Sequence, residues 1–318
     1  MTAAPSPAVL EAYAHCADIA RRSGSSFLAA FWMFPREQRR ALHAIYAFCR
    51  LVDDIADDPA VHGDRGMLLE RWHEELVDAY RGKARHPVGI ALGDAVERFA
   101  LPEECFLDLL AGIETDLRGG EFETFAELEH YCYCVASTIG LLVCGVRGLR
   151  GARVRDYAVH LGIAVQLTNV LRDVGEDAAA GRIYLARDDR EACGVERDAL
   201  VAQVRSEPVA RLLALYAARA RARYAQAQHA LPAELRRRLR PAQAMGAIYR
   251  ELLEALERSD FPQHGPALRL SKPRRIAIAA REWLGIGAQA GFAQRAQVSR
   301  SEPQASEAHR VGDRRRSG

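Results

Sequence analysis

The chain has 318 residues, of which 49% are hydrophobic and 27% are charged, so it is too apolar to be disordered as a whole. Forty-four basic residues against 42 acidic ones leave a net charge of +2, which provides no strong field for binding nucleic acid. The longest apolar stretch, residues 131–146, is shorter than the roughly 20 residues of a membrane-spanning helix. Because no basic signal-peptide region precedes an apolar run, we expect a cytoplasmic protein without a transmembrane segment.

Apolar residues recur at intervals of three and four along the chain and do not alternate as in a strand, which predicts an all-α protein. Thr124 and Glu127 form a capping box, and Pro102 and Pro232 stand where a helix start tolerates a missing N–H. In chain order, the predicted helices cover residues 7–22, 36–57, 65–81, 87–100, 102–117, 125–147, 152–177, 208–230 and 232–257.

The C-terminal segment has a different composition from the rest of the chain. Residues 285–318 are rich in Gly, Ala, Ser, Gln and Arg and carry few large apolar side chains. We therefore predict a single domain over residues 1–284 and a disordered basic tail over 285–318. The seven cysteines form no C-x-x-C pair, so they are predicted to be reduced, buried residues rather than zinc ligands.

A first acidic motif lies near the end of the predicted helix over 36–57. Tyr46, Arg50, Asp53 and Asp57 follow one another at steps of four, three and four, which places them on one helix face. The neighbouring segment 41–52 is too apolar for an exposed helix. The two acids therefore point together from a partly buried surface.

A second acidic motif has the same geometry. Gln166, Asn169, Asp173 and Asp177 follow at steps of three, four and four within an apolar stretch. Acids four residues apart on a helix repel each other by a few tenths of a kcal/mol. Two such pairs, one on each helix, therefore predict a compensating cation.

Oxygen ligands from carboxylates suit Mg²⁺, with Mn²⁺ as the alternative ion, and Mg²⁺ commonly shares one or two carboxylates with substrate phosphates. Arg50 and Arg182 would add the positive charge that a diphosphate needs. Arg172 instead points away from the acid face and is expected to pair with a neighbouring acid. The alternative interpretation is a non-catalytic helical scaffold whose acids are only surface charge.

Four segments of the chain match a known family. They are SGSSF (23–27), YAFCRLVDDIAD (46–57), YCYCVASTIGLL (131–142) and QLTNVLRDVGEDAAAGRIYL (166–185). Through them the chain resembles the squalene and phytoene synthases, which join two trans-isoprenyl diphosphates head to head. SGSSF, the RDVGED form and the segment over 249–261 look most like the bacterial presqualene diphosphate synthases of hopanoid pathways, with phytoene synthase as the nearest alternative.

The resemblance implies an isoprenoid synthase fold, a single helical bundle around a deep apolar cavity with two opposed Asp-rich motifs. It implies that the metal is bound by Asp53, Asp57, Asn169, Asp173 and Asp177, with Asp54 as a helper. Substrate contacts are implied for Tyr46, Arg50, Gln166, Arg182, Phe27 and Ser26. Positions beside the reacting carbons are implied for Tyr46, Tyr133 and Tyr249.

The implied reaction joins two farnesyl diphosphates into presqualene diphosphate. No G-x-G-x-x-G motif follows a strand, so NADPH is not expected as a cofactor. Phytoene synthesis from two geranylgeranyl diphosphates and full squalene synthesis with NADPH stay as alternatives. Any membrane contact is expected to be peripheral, at the inner face of the membrane, and basic residues near the C-terminal end of the domain could supply it, although a solvated basic face is the stronger interpretation. These basic residues are Arg269, Lys272, Arg274, Arg275 and Arg281. The oligomeric state is not predicted.

Overall fold

The computed structural model describes residues 4–23, 31, 34–58, 60–262 and 267–285. Within these ranges the chain forms thirteen α-helices and no strand, which confirms the all-α prediction. The helices are α1 Pro7–Arg22, α2 Arg36–Asp57, α3 Arg65–Tyr80, α4 Pro87–Phe99, α5 Glu103–Leu117, α6 Phe125–Cys132, α7 Thr138–Val146, α8 Ala152–Ala179, α9 Arg187–Cys193, α10 Arg197–Val201, α11 Glu207–Ala230, α12 Arg240–Arg258 and α13 Lys272–Leu284.

The predicted capping box at the start of α6 is present with one change. The Thr124 side chain accepts the N–H of Glu127 at 3.3 Å. The Glu127 carboxylate accepts the N–H of Glu123 at 2.8 Å, one residue before the expected Thr124 N–H. Both bonds satisfy backbone donors at a helix end that have no partner within the helix.

Most predicted helix boundaries agree with the structure to within two residues, and the larger differences are of three kinds. The helix over 125–147 is interrupted by a π turn at Tyr133–Ser137. The helix predicted over 232–257 instead starts at Arg240, after a 3-10 turn over Ala233–Leu235. The prediction missed α9, α10 and α13. The first two are too short to show a period, and α13 turns only Ile278 into the core, so its apolar residues do not mark a buried face.

The helices enclose two hydrophobic cores. One is built by α1 to α5 around side chains such as Phe48 and Phe106. The other is built by α8, α11 and α12 around Leu167 and Tyr216. The seven cysteines are free thiols, as predicted; five of them are buried, and four of these belong to the two cores. Because α2 belongs to the first core and α8 to the second, the two acidic motifs come from separate halves of the bundle.

The π turn lies directly against α8 at a glycine. A Cβ atom on Gly162 would lie 2.5 Å from the Ser137 Cα and 2.6 Å from its backbone nitrogen. The Ser137 hydroxyl also donates to the Val159 carbonyl at 2.8 Å. Only a residue without a Cβ allows this approach, which fixes the position of the α6–α7 segment on α8.

We expect Gly162→Ala to lower the free energy of unfolding by about 1–3 kcal/mol, because its methyl group would overlap backbone atoms of the π turn. Gly140→Ala is the matched control, since its Cβ would meet its nearest atom at 3.5 Å. There the helix propensity of Ala should give a gain of up to about 1 kcal/mol. Urea denaturation of the two variants measures the difference. Equal stabilities would show that the approach of α8 to the π turn is not tight.

The α6, π-turn and α7 segment forms one continuous helical stretch, Phe125–Val146, of 22 residues with a mean hydropathy of 1.2. It is long and apolar enough to span a membrane, which the 16-residue apolar stretch in the sequence did not indicate. Half of its most apolar window is buried inside the fold. Packing within the bundle therefore accounts for its apolar character.

Candidate active site

The last two turns of α2 carry the first acidic motif. Arg50 pairs with Asp54, with Nη2 lying 2.5 Å from Oδ1 and Nε lying 3.2 Å from Oδ2. Asp53 and Asp57 are left on the same helix face without that counter-charge. Burial and the neighbouring charge of Asp57 raise the pKa of Asp53 to about 6, although Arg50 acts in the opposite direction. This face therefore holds a carboxylate that is easily protonated.

The last turns of α8 carry the second acidic motif. Arg172 binds the Asp173 carboxylate through both Nε and Nη2, with Nε lying 2.7 Å from Oδ1, which confirms that it pairs with an adjacent acid. Burial and the charge of Asp173 raise the pKa of Asp177 to about 7 against the lowering effect of Arg182. Burial and the neighbouring acid thus oppose ionisation of the Asp177 carboxyl, and Arg182 compensates for them only in part.

Asn169 lies one turn before Asp173 and is only half satisfied. Its Nδ2 donates to the Gln166 Oε1 at 3.1 Å. Its Oδ1 is buried and has no hydrogen-bond partner among the residues that the structure describes. A buried amide oxygen without a donor is costly, so this atom is an available ligand next to the acids.

Arg182 brings the two acidic motifs together. Its Nη1 donates to the Asp57 Oδ1 at 2.6 Å, and its Nη2 lies 3.8 Å from the Asp177 Oδ1.

The turn that follows α8 places Arg182 in this position. Gly181 adopts a φ of +83° in this turn, a left-handed conformation that favours glycine. Arg197 holds the turn by donating to the Gly181 carbonyl at 3.0 Å. The structure therefore joins α2 and α8 at their acidic ends.

A fifth acid in this region was missed by the sequence analysis. The Asp116 carboxylate on α5 accepts the hydroxyl of Tyr131 at 2.9 Å and the hydroxyl of Tyr184 at 2.6 Å. Its charge contributes to the raised pKa values of Asp53 and Asp177. The available signal was Tyr184 itself, which ends the Gly-Arg-Ile-Tyr sequence beside Arg182.

The structure brings Tyr131 to the carboxylates and places Tyr133 elsewhere. Tyr133 lies in the π turn, where its ring stacks on His130 with centroids 6.2 Å apart. Burial and the nearby charge of Asp108 raise its pKa to about 12. Asp108 precedes Asp116 by eight residues on α5, or about 12 Å along the helix. Within the described chain Tyr133 contacts His130 and Asp108, and its position beside the reacting carbons stays a prediction.

The other two predicted tyrosines, Tyr46 and Tyr249, contact different parts of the described chain. The Tyr46 hydroxyl donates to the Ser23 Oγ at 2.7 Å, and its ring meets Phe31 edge-on with centroids 6.5 Å apart.

Tyr249 on α12 is close to Arg172. Burial lowers the pKa of Arg172, but the Asp173 carboxylate and the Tyr249 hydroxyl outweigh it and raise the pKa overall. Phe27 and Ser26 lie outside the described residues.

The acids fit a hard divalent cation by their chemistry, although the described ranges contain no preformed group of three or more His, Cys, Asp or Glu arranged as a metal cage. Arginines now neutralise several of the carboxylates. The donors are all oxygens, and the buried Asn169 Oδ1 is unpaired, which is the ligand type that Mg²⁺ and Mn²⁺ prefer. The residues that would hold the ion are Asp53, Asp57, Asn169, Asp173 and Asp177.

We expect the metal-free protein to lose stability as the pH rises from about 4 to about 7. The pKa values of Asp53 and Asp177 are raised from 3.8 to about 6 and about 7, so the folded state keeps protons that the unfolded state has released. Their stabilising contribution is full below pH 4 and is lost as the pH passes the folded values. Thermal unfolding in a chelator, compared with the Asp53→Asn/Asp177→Asn double variant, measures it.

The advantage in Tm of the double variant over the wild type should be small at pH 4 and grow up to pH 7. Glu191→Gln, which removes an exposed acid on α9, serves as the control and should show no such growth. A wild type and double variant with parallel pH profiles would contradict the buried charge at this site.

Comparison with known proteins gives several relatives of similar sequence. Phytoene synthase 1 of Zea mays is 34% identical over 264 residues, covering 81% of this chain and 64% of that protein. The chain thus spans slightly less than two thirds of this plant relative. The 15-cis-phytoene synthase of Synechocystis is 30% identical over 295 residues, covering 89% of this chain and 88% of the relative.

Two solved structures share the fold along nearly their whole length. Squalene synthase HpnC from Alicyclobacillus acidocaldarius has a TM-score of 0.75 and 29% identity, covering 82% of this chain and 98% of the other. A dehydrosqualene synthase in complex with a ligand has a TM-score of 0.76 and 29% identity, covering 87% and 97%. The model of the squalene/phytoene synthase family matches residues 20–275. The chain has the isoprenoid synthase fold and belongs to the squalene/phytoene synthase family, whose members are prenyltransferases.

Proposed function

We propose that this protein condenses two farnesyl diphosphates head to head into presqualene diphosphate, with release of diphosphate. The observation that carries the proposal is the position of Arg182, which contacts Asp57 of α2 and Asp177 of α8 at once. This contact brings two pairs of acids and an arginine together at one end of an apolar bundle. Such a site suits the diphosphate end of an isoprenyl substrate.

Arg182 and Arg50 are the residues that would bind the diphosphate oxygens. Both now neutralise acids, Arg182 at Asp57 and Asp177 and Arg50 at Asp54. Bound Mg²⁺, or Mn²⁺, would supply Lewis acidity that stabilises the charge on the departing diphosphate. Arg50 and Arg182 would donate to the diphosphate oxygens and add fixed positive charge where the leaving group departs.

The reaction requires an apolar setting around the reacting carbons. The bond between C1 and oxygen of the first substrate breaks, and its electron pair leaves with the diphosphate. The 2,3 double bond of the second substrate attacks that C1, and loss of a proton closes the cyclopropane ring. The surrounding side chains must exclude water, which would otherwise quench the allylic cation.

Tyr131 and Tyr184 are proposed to form the aromatic wall beside the cation. Burial raises the pKa of both hydroxyls, and each hydroxyl donates a hydrogen bond to the Asp116 carboxylate. They therefore stay neutral, which favours a role for their ring faces in stabilising positive charge over a role as the base. The proton acceptor in this proposal is the released diphosphate.

Phytoene synthesis from two geranylgeranyl diphosphates is the second candidate, because curated relatives such as those of Zea mays and Synechocystis are named phytoene synthases. Reduction to squalene is the third, because one structural neighbour is named a squalene synthase. The farnesyl proposal is supported by the two structural neighbours, whose names refer to C30 products. We propose that NADPH is not required and that the protein is cytoplasmic.

Mass spectrometry of the lipid extract after reaction with farnesyl diphosphate and Mg²⁺, with and without NADPH, tests the proposal. A parallel reaction uses geranylgeranyl diphosphate, and the Asp177→Asn variant is the inactive control. Presqualene diphosphate in both NADPH conditions supports the proposal. Squalene that forms only with NADPH, or phytoene from the C20 substrate, would assign the protein to the other candidates, and no product would favour the scaffold.

A further inference from the structure

Helix α13 presents an apolar stripe to solvent. Ile276 and Leu284 are each 68% exposed, and Trp283 is 46% exposed. With Ala280, which is also exposed, these residues lie at steps of three and four on one face of the helix. The opposite face turns Ile278 into the bundle. The helix packs on the bundle through its other face, so the stripe is not required for that packing. An exposed stripe with two large aliphatic side chains and a tryptophan therefore indicates a binding surface.

Basic residues border this stripe. Lys272 lies one turn before Ile276, and Arg281 lies on the other side of the helix face. The Arg240 guanidinium of α12 lies over the Trp283 ring, with its carbon 5.8 Å from the ring centroid. Apolar residues with a tryptophan and a basic border are typical of helices that lie in the surface layer of an anionic membrane.

An arginine pocket of about 220 Å³ opens beside the stripe, between α8, α11, α12 and α13. It is lined by Arg236, Arg237, Arg240 and Arg250 against a single acid, Glu282. None of the four arginines forms an ion pair within the described part of the chain. Four guanidinium groups against one carboxylate leave an excess of positive charge, which predicts that an anion, such as a phosphate group, occupies the pocket.

The acid in the pocket adds a second requirement. Glu282 Oε1 is buried and has no hydrogen-bond partner among the described residues. The ligand that satisfies both features carries a phosphate for the arginines and a hydroxyl donor for Glu282. Glycerol headgroups of anionic phospholipids have both groups, whereas inorganic phosphate lacks the separate hydroxyl arm.

We propose that the stripe on α13 and the arginine pocket together form a membrane-binding site that takes the headgroup of an anionic phospholipid. Arg240 belongs to both parts, because it lines the pocket and covers Trp283. The site is separate from the acidic motifs. On α8, the pocket residue Leu161 precedes Asp173 by twelve residues, or about 18 Å. The site therefore goes beyond the proposed reaction and holds the enzyme at a surface where its apolar substrates reside.

Charge decides among the possible occupants of this surface. A second copy of the chain would bring the same four arginines to the interface, and like charges would repel there. An anionic membrane neutralises the arginines and also accepts the apolar stripe. Binding should weaken with salt, because part of the attraction acts between exposed charges.

Co-sedimentation of the full chain with phosphatidylglycerol-containing vesicles and with pure phosphatidylcholine vesicles tests the site. Ile276→Asp should weaken binding to the anionic vesicles by at least about tenfold, whereas Met67→Asp, a change at a 60% exposed residue on α3, should not. The double variant Arg236→Gln/Arg237→Gln should weaken binding to the anionic vesicles by about 25-fold, because each arginine contributes about fivefold. Arg71→Gln on α3 is the control. Each variant should keep its condensation activity in detergent.

Three results would overturn the proposal. If Ile276→Asp and Met67→Asp bound anionic vesicles equally, the stripe would not be part of the membrane contact. Calorimetry could show inorganic diphosphate binding that is lost in Arg236→Gln/Arg237→Gln while no vesicle binds, which makes the pocket a site for a free anion. Sedimentation velocity could show a dimer that Ile276→Asp dissociates in the absence of vesicle binding, which makes the stripe an interface between copies.

Discussion

Replacing Asp177 by Asn should lower kcat/KM by about 10²–10³-fold and leave the metal-free protein at least as stable as the wild type at pH 8. Asn keeps the shape of the side chain but cannot ionise. The pKa of the Asp177 carboxyl is raised to about 7 because burial and the Asp173 charge oppose its ionisation, so the wild type gains no stability from this charge. The variant also loses a proposed metal ligand, which removes electrostatic stabilisation of the leaving group. Product formation and thermal unfolding in a chelator measure the two effects.

Asp198→Asn is the matched control, because it makes the same change at an exposed position on α10. It should change neither kcat/KM nor stability by much, since exposed substitutions stay within about 0.5 kcal/mol. Full activity of Asp177→Asn would contradict the assignment of this acid on α8 as a metal ligand. A strong loss of stability in that variant would instead show that the carboxylate is a structural group.

Replacing Asp116 by Ala should lower the free energy of unfolding by about 2–5 kcal/mol. The change leaves the buried hydroxyls of Tyr131 and Tyr184 without their acceptor, and each unsatisfied group costs about 1–3 kcal/mol. Asp116 lies on α5, which packs in the first core, while both tyrosines belong to the second. The carboxylate therefore ties the two halves of the bundle together next to the acidic motifs. Urea denaturation measures the loss.

Tyr131→Phe separates the contribution of one hydrogen bond and should cost about 1 kcal/mol. Glu114→Ala on the same helix is the control, because its pair with Arg118 is exposed and such pairs contribute about 0–1 kcal/mol. If Asp116→Ala were no less stable than Glu114→Ala, the Asp116 carboxylate would not hold the two halves together.

The sequence predicted the helices of the site because their signals are local. Steps of three and four place Asp53 with Asp57 on α2 and Asp173 with Asp177 on α8, whatever else the chain does. The capping box at Thr124 and the pairing of Arg172 with an adjacent acid also depend on a few neighbouring residues. Such features follow from helix geometry and are independent of the tertiary fold.

The choice between Tyr131 and Tyr133 could not be made from the sequence. Both stand in the same apolar segment, two residues apart, and a π turn changes the direction of the side chains at that point. Tyr131 faces Asp116 only because α5 from the other core packs there. The hydrophobic pattern of the segment indicates neither the π turn nor the helix that packs against it.

Periodicity and motifs were enough to predict the helical class, the family resemblance and the two acidic faces. The packed bundle was needed to show that Arg182 contacts Asp57, 125 residues earlier in the chain, and that Asp116 lies beside the acids with two tyrosines. It was also needed to show that α13 exposes its apolar residues to solvent. Helix periodicity depends on neighbours within one or two turns, whereas these contacts depend on how two separately packed cores meet.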